Sequence, residues 1–329
     1  MQIRRMGRTG LKVSEICLGT MTFGHQCDEA TSRAIVDRAA DKGVFFIDCA
    51  DVYPVPPSVE TAGRSEEIVG RWLEGRRDRF VLATKCRMKV GPGPNDEGLS
   101  RRHVLQAVED SLRRLRTDYI DLYQTHSIDP DTPHDETLRA LDDIVRQGKA
   151  RYIGCSNYPA WQLALALGVS ERLGLARFDC VQPRYNLLYR EIESELLPLC
   201  RDQGVGVIAY NPLAGGFLSG KYQQAEADPP TGTRFTLGKT GELYRERYWK
   251  RSQFEAVKRL DEYLRPRGQS LTRTAIAWVL ARPGVTAAIV GASRPEQLDD
   301  TVAGADAALD AETRAACDLA WLTLPRQEK

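Results

Sequence analysis

Short apolar segments rich in β-forming residues alternate with longer amphipathic segments along almost the whole chain, the pattern of parallel βα units. The predicted barrel strands are Ile16 to Leu18, Phe45 to Asp48, Phe80 to Thr84, Tyr119 to Tyr123, Tyr152 to Gly154, Cys180 to Gln182, Gly206 to Ala209 and Ala287 to Val290. The predicted helices are Glu29 to Lys42, Glu66 to Leu73, Arg101 to Leu115, Glu136 to Gln147, Trp161 to Leu167, Ile192 to Asp202, Ser252 to Leu264, Leu271 to Ala281 and Glu296 to Gly304. In Arg101 to Leu115 the apolar positions Val104, Leu105, Val108, Leu112 and Leu115 recur every three to four residues, so one face can cover a sheet. Ser100 stands where an N-cap belongs.

Eight such units in 329 residues fit one α/β domain, a (β/α)8 TIM barrel spanning residues 1–329. The competing open, doubly wound sheet calls for an early GxGxxG between a strand and a helix. Here the first unit reads CLGTMTFG, and its helix begins only after Asp28. The stretch Ile3 to Val13, with Gly7 and Gly10, reads as an N-terminal β-hairpin that plugs one end of the barrel. Pro212 to Trp249 exceeds an ordinary βα connection and is rich in Gly, Pro and Thr, so it is either a functional loop or a disordered insertion.

Charge excludes several classes of partner. Lysine and arginine number 46 against 45 acidic residues, a net charge of +1, so no long-range field gathers nucleic acid or an anionic bilayer. Arg76-Arg77 and Arg113-Arg114 read as solvated helix faces. No apolar run reaches the ~18 residues of a membrane span, and MQIRRMGRTG lacks the apolar core of a signal peptide, so cytoplasm is the expected compartment. The eight cysteines contain no CxxC pair or metal-ligand spacing, and they read as small buried hydrophobes.

Asp48, Lys85 and His126 each interrupt or close an apolar run at the C-terminal end of a predicted strand, the barrel face where reactive groups collect. Buried there, each is either paired or costly. These residues lie in FIDCADVY, VLATK and DLYQTH, and with GLKVSEICLGTMTFG near the start and IVGASRPEQL near the end they carry a resemblance across essentially the full length. The chain resembles the aldo-keto reductase superfamily. That resemblance implies NADP(H)-dependent reduction of aldehydes or ketones, with Asp48, Tyr53, Lys85 and His126 as the catalytic residues. The chemistry is coherent: an alkoxide developing in a dry pocket needs a proton donor, and a phenol of pKa about 10 can supply it. Lys85, held by Asp48, is expected to favour phenolate, while His126 orients and polarises the carbonyl.

On the cofactor side, the resemblance gives Ser156 and Asn157 of IGCSN and Gln182 of VQPRYN to the nicotinamide carboxamide, and Tyr210 to stacking under the ring. Leu213, Gly216 and Lys221 in NPLAGGFLSGKY belong by the same resemblance to the pyrophosphate. In GASRPEQ, Ser293 is expected as N-cap, Pro295 in the first turn and Glu296 at the capping-box position, and a helix start binds phosphate through free N–H groups. Arg294 adds a planar donor for the 2'-phosphate, which favours NADP(H). Gly291 and Gln297 complete this group. Where the family often has an adenine-contacting Asn, this chain has Thr301.

The expected substrate wall comprises Met21, Phe23, Tyr53, Pro54, Arg87 and Met88, suited to small aldehydes, aromatic ones included. Arg87 either points inward, where it welcomes an anion, or lies on the rim in water. A keto-sugar or sugar-nucleotide reductase, a sugar dehydrogenase and a cofactor-binding regulatory subunit stay open as alternatives. The sequence leaves oligomeric state undetermined.

Overall fold

The computed structural model describes residues 1–222 and 227–325. Its parallel strands β3 (Ile16–Gly19), β4 (Phe46–Asp48), β5 (Val81–Cys86), β6 (Ile120–Thr125), β7 (Ala150–Ser156), β8 (Phe178–Gln182), β9 (Gly206–Ala209) and β10 (Val285–Val290) close into a barrel, β10 pairing with both β3 and β9. The (β/α)8 expectation is met, with each predicted strand present to within a few residues.

Antiparallel β1 (Ile3–Arg5) and β2 (Lys12–Ser14) form the expected hairpin. Its Met6 and Val13 are fully buried and share one cluster with Cys17, Phe46, Ala83, Leu122, Cys180, Ile208 and Ala287 inside the barrel. The hairpin turn lies so close to β9 that a Cβ at Gly7, where φ is +52°, would stand 2.4 Å from the Gly204 carbonyl oxygen.

The surrounding helices are α1 (Glu29–Asp41), α2 (Arg64–Leu73), α3 (Arg101–Leu115), α4 (His134–Arg146), α5 (Ala160–Leu173), α6 (Leu196–Gln203), α7 (Gly238–Tyr248), α8 (Arg251–Leu264), α9 (Leu271–Leu280), α10 (Gln297–Ala303) and α11 (Ala311–Leu322). Ser100 caps α3 by accepting from the His103 N–H. Eight cysteines are free and buried. Among the described residues no helix is long and apolar enough to cross a membrane.

Two helices escape the periodicity. In α11 only Thr313, Cys317 and Ala320 are buried while Leu319 and Leu322 face solvent, so its pattern is weak. The segment 212–249, read as a loop, carries α7 and two short 3-10 turns, Ala214–Ser219 and Arg234–Thr236; residues 223–226 of it lie outside the described residues. Glycine disguises α7: a Cβ at Gly241 would meet the Phe235 carbonyl oxygen at 2.7 Å, so close packing requires the helix-weakening residue. Phe217, Tyr222, Phe235, Trp249 and Phe254 pack ring to ring and give this segment a core of its own.

Candidate active site

Strand alternation builds the site. Successive side chains point to opposite faces, and the apolar layer inside the barrel contains Phe46 of β4, Val81 and Ala83 of β5, Leu122 of β6 and Cys180 of β8. Two residues further along the same faces stand Asp48, Lys85, Gln124 and Gln182. An apolar floor therefore carries a polar layer directly above it, at the C-terminal mouth.

Lys85 and Asp48 form an ion pair there, 0% and 2% exposed, and the ammonium also donates to the Cys49 carbonyl at 2.8 Å. Separating such a pair leaves an unpaired buried charge, which costs about 3–5 kcal/mol. The loop after β4 is tied to β5 by the Asp51 N–H, which donates to the Lys85 carbonyl at 3.0 Å. This loop sets the Tyr53 ring 5.1 Å from the Lys85 ammonium. From the end of β6, His126 meets Tyr53 edge to face with centroids 5.7 Å apart. Its backbone N–H donates to the Cys86 carbonyl at 2.8 Å, and its Nδ1 is buried without a partner.

Electrostatics fix the resting protonation. Burial and then the charges of Lys85 and Arg87 hold His126 down at about 3, so its ring is neutral at ordinary pH. Burial opposes the Lys85 charge, but Asp48 and Tyr53 outweigh it and raise its pKa above the ordinary value. Burial pushes Tyr53 up to about 12 against the opposing pull of Lys85. Lys85 does pull Tyr53 toward phenolate, as expected, but desolvation is the larger effect, so the resting group is a phenol able to donate.

Gln124 escaped the sequence reading. Its Nε2 donates to Asp48 Oδ1 at 3.2 Å, and the Gln182 Nε2 donates to the same oxygen at 2.9 Å and to Gln124 Oε1 at 3.3 Å. Asp48 is thus held on both oxygens, one by Lys85 and one by two amides. Gly154 of β7 makes the room, since a Cβ there would meet Cys180 Sγ at 2.4 Å and the Gln124 side chain at 3.4 Å. The signal was available: Gln124 follows Leu122 on the inward face of β6, where a polar residue needs a partner.

The expected nicotinamide contacts come together beside this layer. Ser156 Oγ donates to the Gln182 carbonyl at 2.8 Å, and Asn157 Nδ2 donates to the His126 carbonyl at 2.9 Å. The Tyr210 hydroxyl donates to Asn157 Oδ1 at 2.8 Å. Gln182 Oε1 takes no protein hydrogen bond among the described residues and is not sealed from solvent, so it is available as an acceptor.

Further out, Leu213 is half-buried, and Gly216 at φ +91° lies beside the Lys221 ammonium, which a Cβ there would meet at 3.3 Å. Burial, followed by the charges of Arg294 and Arg234, lowers the Lys221 pKa. The two arginines therefore lie within electrostatic reach of this lysine, and among the described residues none of the three has an acidic partner at ion-pair distance. Arg234, absent from the sequence assignment, is brought in by the segment 212–249.

The capping expectation at GASRPEQ is corrected. Helix α10 begins at Gln297 with Glu296 at its N-cap position and no side-chain cap. Ser293 lies outside it; Gln297 Oε1 accepts from the Ser293 N–H at 2.8 Å and from its hydroxyl at 3.4 Å. The tight turn around Pro295 delays the helix, and Gln297 rather than Glu296 turns back to satisfy the backbone. Gly291 immediately follows β10, and the Thr301 hydroxyl is spent on the Gln297 carbonyl at 3.0 Å. Phe23 is also corrected: it is fully buried in the core, so of the expected apolar wall Met21 and Met88 retain exposure.

The model of the aldo/keto reductase family matches residues 15–321. The chain is 40% identical to an uncharacterized oxidoreductase, YrpG, of Bacillus subtilis (strain 168), covering 95% of this chain and 93% of that protein. It is 38% identical to a probable voltage-gated potassium channel subunit beta of Arabidopsis thaliana, over 93% and 92%. It is 34% identical to the L-glyceraldehyde 3-phosphate reductase of Escherichia coli (strain K12), over 92% and 87%. With its closed barrel, the polar layer at its mouth and these likenesses, the chain belongs to the aldo/keto reductase family.

Proposed function

We propose that this protein reduces small aldehydes, aromatic ones included, to alcohols with NADPH, reversibly, and that it works in the cytoplasm. The observation that carries the reading is the buried Lys85–Asp48 pair set beneath a protonated Tyr53, with neutral His126 at the phenol's edge. A reduced nicotinamide supplies the two electrons as a hydride. This chain's residues supply the rest: His126 directs a ring N–H at the carbonyl oxygen, and Tyr53 gives its hydroxyl proton to the same oxygen as negative charge develops there. Lys85 stabilises the phenolate left behind, and Asp48 keeps Lys85 in place.

The residues present fit the cofactor. Asn157, Ser156 and the free Oε1 of Gln182 offer polar groups for a carboxamide, and Tyr210 offers a ring face. Lys221, Arg234 and Arg294 form a group of cations that, among the described residues, have no acidic partner at ion-pair distance and suit phosphates, with Arg294 and Ser293 assigned to the 2'-phosphate. Leu213, Gly216, Gly291 and Gln297 complete the proposed contact set.

Fluorescence titration tests the cofactor, with NADPH expected to bind more tightly than NADH. Oxidation of NADPH against neutral aldehydes, free sugars and keto-sugar nucleotides tests the reaction. Comparable kcat/KM across the neutral aldehydes supports the reading; a thousandfold preference for one sugar, about 4 kcal/mol of discrimination, contradicts it. The likeness to channel subunits supports a rival reading in which cofactor binding serves regulation. Tight NADPH binding without turnover on any carbonyl would favour that rival.

A further inference from the structure

Arg87 is the first residue after β5, two positions beyond Lys85, and it has a φ of +130°, a conformation that residues other than glycine avoid. Its carbonyl accepts from the Gly98 N–H at 2.8 Å, which ties the following loop back to the strand end. Strain of this kind persists where the surrounding structure imposes it, and it concentrates at sites that bind or react.

The guanidinium is also underused. Its Nε is buried without an acceptor, and among the described residues its one side-chain hydrogen-bond contact is Nη1 to the Met88 sulfur at 3.9 Å. Partly buried Arg77 and Arg114, by contrast, are ion-paired, to Asp121 at 2.6 Å and to Glu66 at 2.7 Å. Asp129 feels the Arg87 charge but is engaged elsewhere: its oxygens accept from the Leu99 N–H, the Thr132 hydroxyl and the Asp131 N–H. Among the described residues Arg87 therefore has no carboxylate at ion-pair distance.

Its position relative to the site is equally specific. Cys86, which precedes it, accepts the backbone N–H of His126, and the Arg87 charge acts on the His126 ring. A planar, forked cation with unused N–H groups thus stands at the barrel mouth, within electrostatic reach of the residue proposed to orient the carbonyl.

We infer that Arg87 binds an acidic substituent of the substrate, a carboxylate or a phosphate, so that aldehydes bearing such a group are preferred over neutral ones. The inference rests on the proposed reductase reading and narrows its substrate class. The guanidinium fork suits either anion through paired N–H donors, and the fixed loop holds it at one distance from His126. Substrates would then be recognised at two points, the carbonyl oxygen by Tyr53 and His126 and the anion by Arg87, with the intervening chain in loose apolar contact with Met21 and Met88.

The test uses the full-length enzyme and matched substrate pairs: benzaldehyde with 4-carboxybenzaldehyde, and glyceraldehyde with glyceraldehyde 3-phosphate. The wild type is expected to favour at least one anionic member tenfold or more in kcat/KM, and the pair that shows this identifies the carboxylate or the phosphate as the better fit. Arg87→Met should abolish that preference, chiefly through KM for the anionic member, bringing the anionic-to-neutral ratio of kcat/KM within threefold of one; Arg87→Lys should restore part of it. Equal kcat/KM within both wild-type pairs, or a preference that survives in Arg87→Met, overturns the inference. If Arg87→Met does not fold, Arg87→Gln takes its place: loss of the wild-type preference supports the inference and its survival overturns it. Benzaldehyde turnover that depends on Tyr53, without an anion preference, defeats the role of Arg87 and leaves the reductase reading standing. No turnover of any of the four compounds defeats the reductase reading and this inference with it.

Discussion

The two halves of the site are built differently. Asp48, Lys85 and Gln124 project from strands whose register is set by backbone pairing, and they contact one another in the barrel interior. Lys221, Arg234 and Arg294 come from surface segments, and their approach depends on glycines at positive φ and on contacts distant in sequence. Tyr248 shows the second mode: at the far end of the long segment, its hydroxyl accepts from Asn186 Nδ2 at 3.0 Å and Asn211 Nδ2 at 2.8 Å, fastening the segment to the barrel mouth. The lesson is a division of labour, in which rigid strands carry the proposed chemistry and folded loops carry the proposed affinity.

If that division holds, substitutions in the two halves should fail in different ways. Lys85→Met should have the largest effect on both counts. It strips Asp48 of its counter-ion and leaves a buried charge, so stability should fall by about 3–5 kcal/mol, read as the denaturation midpoint in urea, with turnover lost as well. A folded, active Lys85→Met enzyme would break the comparison. Arg294→Ala should instead spare folding and kcat while weakening NADPH by roughly tenfold to a hundredfold, the loss of about 1.5–3 kcal/mol from one charge-assisted contact. NADH affinity should hardly move. Isothermal titration with both cofactors measures the difference.

Gln124→Leu is a finer probe of the interior. Asp48 would lose one of its two amide donors, worth about 1 kcal/mol or roughly fivefold in rate if the loss falls on the transition state. Steady-state kcat with NADPH saturating measures it, and an unchanged value would show that Gln182 suffices.

The smallest effects concern pH. His126 is held down at about 3 and Tyr53 up at about 12, so carbonyl reduction should be flat across the neutral range. Stability has a definite sign: the folded His126 binds its proton less readily than the ordinary imidazole near 6.5. Its contribution is present above about 6.5 and is lost as pH falls toward about 3. Replacing His126 by Gln should flatten that part of an acid-denaturation curve.

Legibility in the sequence follows the same division. The period-2 pattern of VLATK and FIDCADVY could be read directly, because alternation in a buried strand dictates which side chains share a face. Gln124 is equally legible, two positions past an inward leucine, but a lone amide carries no motif of its own, and only its contact with Asp48 shows its part in the site. The helix start after β10 was misplaced because Ser-x-Pro-Glu satisfies a capping pattern locally, whereas the Pro295 turn and the Gln297 side chain decide the matter. Arg234 was beyond reach: its approach to Lys221 and to the Met21 sulfur, 3.0 Å away, follows from the path of a long segment rather than from any local signal.

The central claim is that Tyr53 delivers the proton to the substrate oxygen. Single-turnover oxidation of bound NADPH, followed by absorbance after mixing with benzaldehyde, tests it most directly by comparing the wild type with Tyr53→Phe. The variant keeps the ring and the fold but lacks the hydroxyl, so its chemical step should slow by about 10²–10⁴-fold while NADPH affinity stays unchanged. A single-turnover rate in Tyr53→Phe within a few-fold of wild type would contradict the account.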